Sequence, residues 1–199
     1  MSERFHSPRF DRPVDVPGHL ARLPPGATCK GMFFRDLLAL AAPTGSAEEI
    51  ARAAGLPHRR YLPFLDYPMA ENLLLTVEVA SRVHADAPLG EGLRRLGRTA
   101  FQTFLASHVG RVLVLAAGSE VGSVLMLAPR AYPLVMSFGR VATERVDERT
   151  MLARCQDLPA FVETYQVGTL EGVFAHFGLE GRVRIAMDDL ANGTLEARW

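Results

Sequence analysis

The strongest constraint on the fold lies after Leu158, where the chain changes its hydrophobic period. An apolar run from Ala160 to Phe177 has helical spacing and meets a stop at Gly178. Two short segments that alternate with a period of two follow it. Val183, Ile185 and Met187 face one way against Arg182, Arg184 and Ala186; Leu195, Ala197 and Trp199 face one way against Thr194, Glu196 and Arg198. Asn192-Gly193 between them predicts a tight hairpin with positive-φ residues at its turn. Clean alternation belongs to an antiparallel sheet with one solvated face. A helix followed by such a hairpin must bury its apolar side on that sheet.

The preceding residues fill out an α+β plan. Val141 to Val146 and Thr150 to Cys155 read as two more strands around an Asp147-Glu148-Arg149 turn. Upstream of them the pattern is helical. Thr28 is placed to cap a first helix carrying Met32, Phe33, Leu37, Leu38 and Leu40, stopped by Pro43. Ser46-Ala47-Glu48-Glu49 is a capping box for a short helix closed by Gly55. The aromatic stretch Arg59 to Pro68 is expected to lock Tyr61, Phe64 and Tyr67 onto the core. Met69 to His84 shows an apolar face at Met69, Leu73, Val77 and Ala80, and Leu89 to His108 a long stripe through Leu93, Leu96, Ala100, Phe101 and Phe104. Shorter helical segments follow at Arg111–Ala117 and Val121–Leu127, and Pro129 and Pro133 are expected to break the pattern. Residues 1–26 are polar and proline-punctuated, an expected surface arm; residues 27–199 make a single domain. The expected architecture is a helical N-terminal half packed on a small antiparallel sheet.

Composition excludes several function classes. The 22 basic and 22 acidic side chains balance, which leaves no basic excess for nucleic acid. No apolar run is long enough for a membrane span. The two cysteines, Cys29 and Cys155, have no CxxC spacing, and no secretory leader precedes them, so reduced thiols and a cytoplasmic location are expected. The histidines show no metal spacing; His108, one turn past Phe104, has a core-facing alternative. There is no dinucleotide fingerprint and no phosphate loop. Cys29 beside Lys30 at a helix start leaves open a lowered thiol pKa and hence a nucleophile, but no base stands beside it in sequence. No catalytic residue, metal ligand or cofactor is expected.

Gly168 and Gly172 strip one side of the last helix. Glycine weakens a helix, so something approaches closely there: a packed neighbouring element, or a flat ligand or partner on the bare face. Phe101, Phe104, Phe174 and Phe177 either line a cavity between helices and sheet or fill the core.

Several stretches resemble an uncharacterised myxobacterial family, a domain of unknown function: Thr28 to Phe34, Tyr61-Leu62-Pro63-Phe64 with Tyr67-Pro68, Leu93 to Arg98, Ala128 to Tyr132 and Tyr165 to Gly172, in the same order from Leu20 to Trp199. That resemblance implies no activity. A remoter one, in element order and in Arg95-Leu96-Gly97-Arg98 with Thr103-Phe104 and Gly168 to Gly172, is to the superfamily of heme–nitric-oxide sensors, vinyl-reductase-type domains and Golgi transport tethering subunits. The heme sensors carry a proximal histidine on the helix matching Leu127 to Tyr132 and a Tyr-x-Ser-x-Arg clamp before the late helix. This chain has no histidine in the first place and Leu152-Ala153-Arg154-Cys155 in the second. The resemblance therefore implies a ligand-binding or protein-interaction module without heme, non-enzymatic, with a homodimer plausible from the tether relatives. The alternatives are a sensor carrying an apolar molecule (an acyl chain or tetrapyrrole) and a Cys29 enzyme. The candidate ligand- or partner-binding residues are Gly168, Gly172, Phe101, Phe104, Tyr132 and Tyr165, the two tyrosines lying in the matching stretches.

Overall fold

The computed structural model describes residues 4–118 and 120–199. Its order is α1 (Val16–Ala21), β1 (Thr28–Lys30), α2 (Gly31–Ala41), α3 (Ala47–Ala53), β2 (Asp66–Pro68), α4 (Met69–Val83), α5 (Leu89–Ala106), α6 (His108–Ala117), α7 (Val121–Leu125), α8 (Ala128–Val135), β3 (Arg140–Asp147), β4 (Thr150–Gln156), α9 (Val167–His176), β5 (Arg182–Met187) and β6 (Gly193–Arg198). One π turn, Val162–Gln166, leads into α9. The four C-terminal strands form an antiparallel sheet in the order β3-β4-β6-β5, and β1 pairs with β2. The helical half and antiparallel sheet expected from the sequence are both present.

Local chemistry explains some of the boundaries. Both halves of the Ser46–Glu49 capping box form: the Ser46 hydroxyl accepts from the Glu49 amide, and the Glu49 carboxylate accepts from the Ser46 amide at 2.8 Å. Gly55 and Gly178 follow their helices with φ of +72° and +64°.

Other expectations change. Thr28 does not cap α2; it pairs with Pro68 in β1, and Lys30 holds the cap position without a side-chain bond. Tyr61 and Tyr67 pack on Phe34, Tyr61 stacked at 4.3 Å, but Phe64 is 71% exposed. Pro129 and Pro133 do not break the helix. Pro129 sits in the first turn of α8, where no amide donor is needed, and Pro133 lies within the helix, which ends two residues later at Val135. Asn192 and Gly193 do not take positive φ. The β5–β6 loop is longer than two residues and is closed by the Asp189 carboxylate, which accepts from the amides of Ala191 and Asn192 at 2.7 and 3.0 Å.

The N-terminal residues wrap the domain. The His6 amide and carbonyl pair with Ile185, covering the exposed edge of β5. His19 of α1 is fully buried, with Nε2 3.0 Å from Glu163 Oε1 on the π turn and its ring edge-on to Phe161.

Helices α5 and α9 lie in direct backbone contact. A Cβ on Gly168 would stand 2.0 Å from the Arg94 carbonyl oxygen, one on Gly172 2.4 Å from that of Arg98, and one on Gly97 2.1 Å from that of Tyr165. Above this seam, Arg94 donates to Glu171 at 2.8–3.0 Å and to Glu91, and Arg98 donates to Glu171 at 2.7 Å. The Phe10 ring covers the Arg94 guanidinium at 4.7 Å.

Candidate functional site

Apolar helix faces converge on the sheet but do not fill the space between them. A cavity of about 150 Å³ remains. Helix α4 contributes Met69, Asn72, Leu73 and Thr76 to its wall; α5 contributes Ala100, Phe101 and Phe104. Helix α8 contributes Ala128, Ala131, Tyr132 and Val135, the i, i+3, i+4, i+7 face that a short helix presents when both prolines are tolerated. Strands supply Val141, Ala153, Cys155 and Leu195. The π turn supplies Tyr165 and Gln166, and α9 supplies Thr169, Leu170 and Val173. Tyr165, Gln166, Thr169, Leu170 and Val173 fall on one helical stripe, so the π turn and α9 present a common face to the cavity. Phe161, also in the wall, precedes that turn in the left-handed region at φ +52°, a strained position for an aromatic residue.

Four polar hydrogens of this wall are spent within it. The Tyr132 hydroxyl donates to Gln166 Oε1, and Gln166 Nε2 donates to the Ala160 carbonyl at 3.3 Å. The Thr76 hydroxyl donates to the Asn72 carbonyl at 2.7 Å, and Thr169 to the Tyr165 carbonyl at 3.1 Å. Asn72 is 7% exposed, and its Nδ2 has no hydrogen-bond partner among the described residues. Burial pushes the phenols of Tyr132 and Tyr165 above their ordinary range. Burial also pushes the Cys155 thiol up to about 12, and burial with the nearby Asp66 carboxylate does the same to Cys29.

The sequence-derived candidates divide. Phe101, Phe104, Tyr132 and Tyr165 meet in the cavity wall. Gly168 and Gly172 do not; the α5 backbone occupies their bare side, so tight helix packing is what those glycines serve. Phe174 packs near Trp199, 6.1 Å between rings. His108 is exposed and turned toward Arg111, not the core. Cys29 is fully buried with a raised, not lowered, pKa, the opposite of an activated thiol. Asn72, Thr76 and Gln166 were missed. The signal for the first two was a pair of polar residues four apart beside the apolar face of α4; Gln166 had no such signal.

The residues present do not fit a heme. None of the described wall residues is a histidine or carries a charge. Tyr132 donates to Gln166, and burial raises the pKa of the Cys155 thiol, so neither stands ready ionised as a ligand for iron. Arg154 is exposed and paired with Glu144 at 2.6 Å. A volume near 150 Å³ matches a cavity that accepts benzene and lies below the range of pockets for larger ligands. Among the described residues, no three His, Cys, Asp or Glu side chains converge as a metal site. No helix among them is long and apolar enough to cross a membrane.

Comparison with known proteins agrees with this fold. The family model "Protein of unknown function (DUF2378)" matches residues 22–199. No curated protein matches the chain. Among solved structures, it is similar to an H-NOX protein from S. oneidensis in the Fe(II)NO ligation state: 16% identity, TM-score 0.65, covering 85% of this chain and 98% of that one. The Fe(II) unliganded H-NOX protein from K. algicida gives 14% identity, TM-score 0.64 and coverage of 85% and 95%. A mutant of the T. tengcongensis H-NOX gives 18%, 0.63, and 85% and 96%.

Proposed function

Since the chain belongs to the DUF2378 family of unknown function and has the fold of H-NOX domains, we propose that it is a ligand-binding sensor module that works without heme. The ligand is a small, mostly apolar molecule held in the cavity bounded by α4, α5, α8 and α9. One observation carries the reading: an apolar cavity persists at the heart of the fold, while the described side chains around it offer neither an imidazole to iron nor a cation to propionates. A pocket of this size leaves its apolar wall without packing partners on one side, so its retention favours a use. The same volume disfavours the tetrapyrrole and long acyl chain as occupants. The full burial of Cys29, which raises its thiol pKa, supports a non-enzymatic role.

Two measurements test this. Protein incubated with excess hemin and passed through gel filtration is expected to retain no Soret absorbance; stoichiometric retained heme would overturn the heme-free reading. Benzene titrated into the full chain is expected to raise its melting temperature saturably. No stabilisation up to the solubility limit would remove the cavity as a binding site.

A further inference from the structure

This inference rests on the proposal that the cavity holds a ligand, and it names the ligand's chemistry. Asn72 stands on the cavity side of α4, between Met69 and Leu73 and one turn before Thr76. It is more than nine-tenths buried. Around it, the hydroxyls of Tyr132, Thr76 and Thr169 and one amide hydrogen of Gln166 are donated to neighbours in the wall. The Asn72 side-chain amide differs, because Nδ2 has no partner among the described residues. Buried donors are normally satisfied, and one left unmade is destabilising. A leucine of nearly the same shape would avoid the penalty and match the rest of the wall.

We infer that Asn72 is the polar reader of this cavity: it donates from Nδ2 to the single acceptor of a small neutral carbonyl compound, a ketone, aldehyde or ester of about six to eight non-hydrogen atoms. The ligand is neutral because no described wall residue is charged, and an unpaired charge would be stranded there. It carries an acceptor because an amide N–H only donates. A carbonyl meets that donor with one oxygen and without a charge.

The test compares cyclohexanone with methylenecyclohexane, the same shape without the acceptor oxygen, on the full chain and on Asn72→Leu. The carbonyl compound is the better hydrated of the two, so the informative quantity is the ratio of their affinities. That ratio is expected to shift against cyclohexanone by about fivefold to tenfold in the variant. In the native chain, nitrogen-edited NMR is expected to show the Asn72 side-chain amide protons moving on addition of cyclohexanone and not of methylenecyclohexane, which decides the matter should the variant fail to fold. An unchanged ratio, or an equal amide response to both probes, overturns the role of Asn72 and leaves the cavity reading standing. If neither probe binds, the cavity reading fails and this inference fails with it.

Discussion

Gly168→Ala sets helix propensity against packing, and the two predict opposite signs. In an isolated helix the change stabilises by about 1 kcal/mol, because alanine orders with less entropy loss than glycine. In this protein the new methyl would lie 2.0 Å from the Arg94 carbonyl oxygen and 2.9 Å from its carbon. Those are backbone atoms of α5, so no rotamer change relieves them. The helices must separate by roughly an ångström, against a seam closed at Gly97 and Gly172 and tied by the Arg94–Glu171 pair. Overpacking of this kind costs about 1–3 kcal/mol and occasionally more; a backbone clash at two further glycine contacts belongs at the upper end. The net expectation is destabilisation of about 2 kcal/mol, a fall in melting temperature of roughly 4–8 °C for a chain of this size. Thermal unfolding followed by far-ultraviolet circular dichroism measures it. Ala175→Gly, at an exposed position of the same helix, calibrates propensity alone and should cost about 1 kcal/mol. A melting temperature for Gly168→Ala equal to or above that of the native chain would refute the close-packed seam.

Further outcomes follow from other parts of the molecule. Ser46→Ala removes the acceptor for the Glu49 amide and should lower stability by about 1 kcal/mol in urea titrations; no change would mean that the capping box contributes nothing. Cys29 and Cys155 are buried thiols with pKa raised from 9.0 to about 12. A raised folded pKa favours the protonated form, so this contribution is intact below pH 9 and is lost as pH rises from about 9 toward 12, where the unfolded chain ionises first. Stability should therefore fall over that alkaline window. At neutral pH, iodoacetamide should modify neither thiol until the chain unfolds; rapid alkylation of the native protein, read by mass spectrometry, would contradict the buried placement of both.

What could be read from the sequence alone was whatever depends on near neighbours. The capping box at Ser46, the stop at Gly178, the periods of α4 and α5 and the alternation of β3 through β6 are short-range patterns, in which a side chain's fate follows from residues one to four away. The need for a close approach at Gly168 and Gly172 was also legible, because glycine inside a helix demands a reason. Which partner makes that approach was not. Only the tertiary structure placed the α5 backbone against those glycines and the cavity on the other face of α9. Likewise, the reading of Pro129 and Pro133 as breakers weighed local propensity alone, whereas the eight-residue α8 is held by its contact with β3. The cavity itself belongs to no segment: it is the volume left when faces from distant parts of the chain meet imperfectly, so no local pattern encodes its size or singles out Asn72 as the amide without a partner.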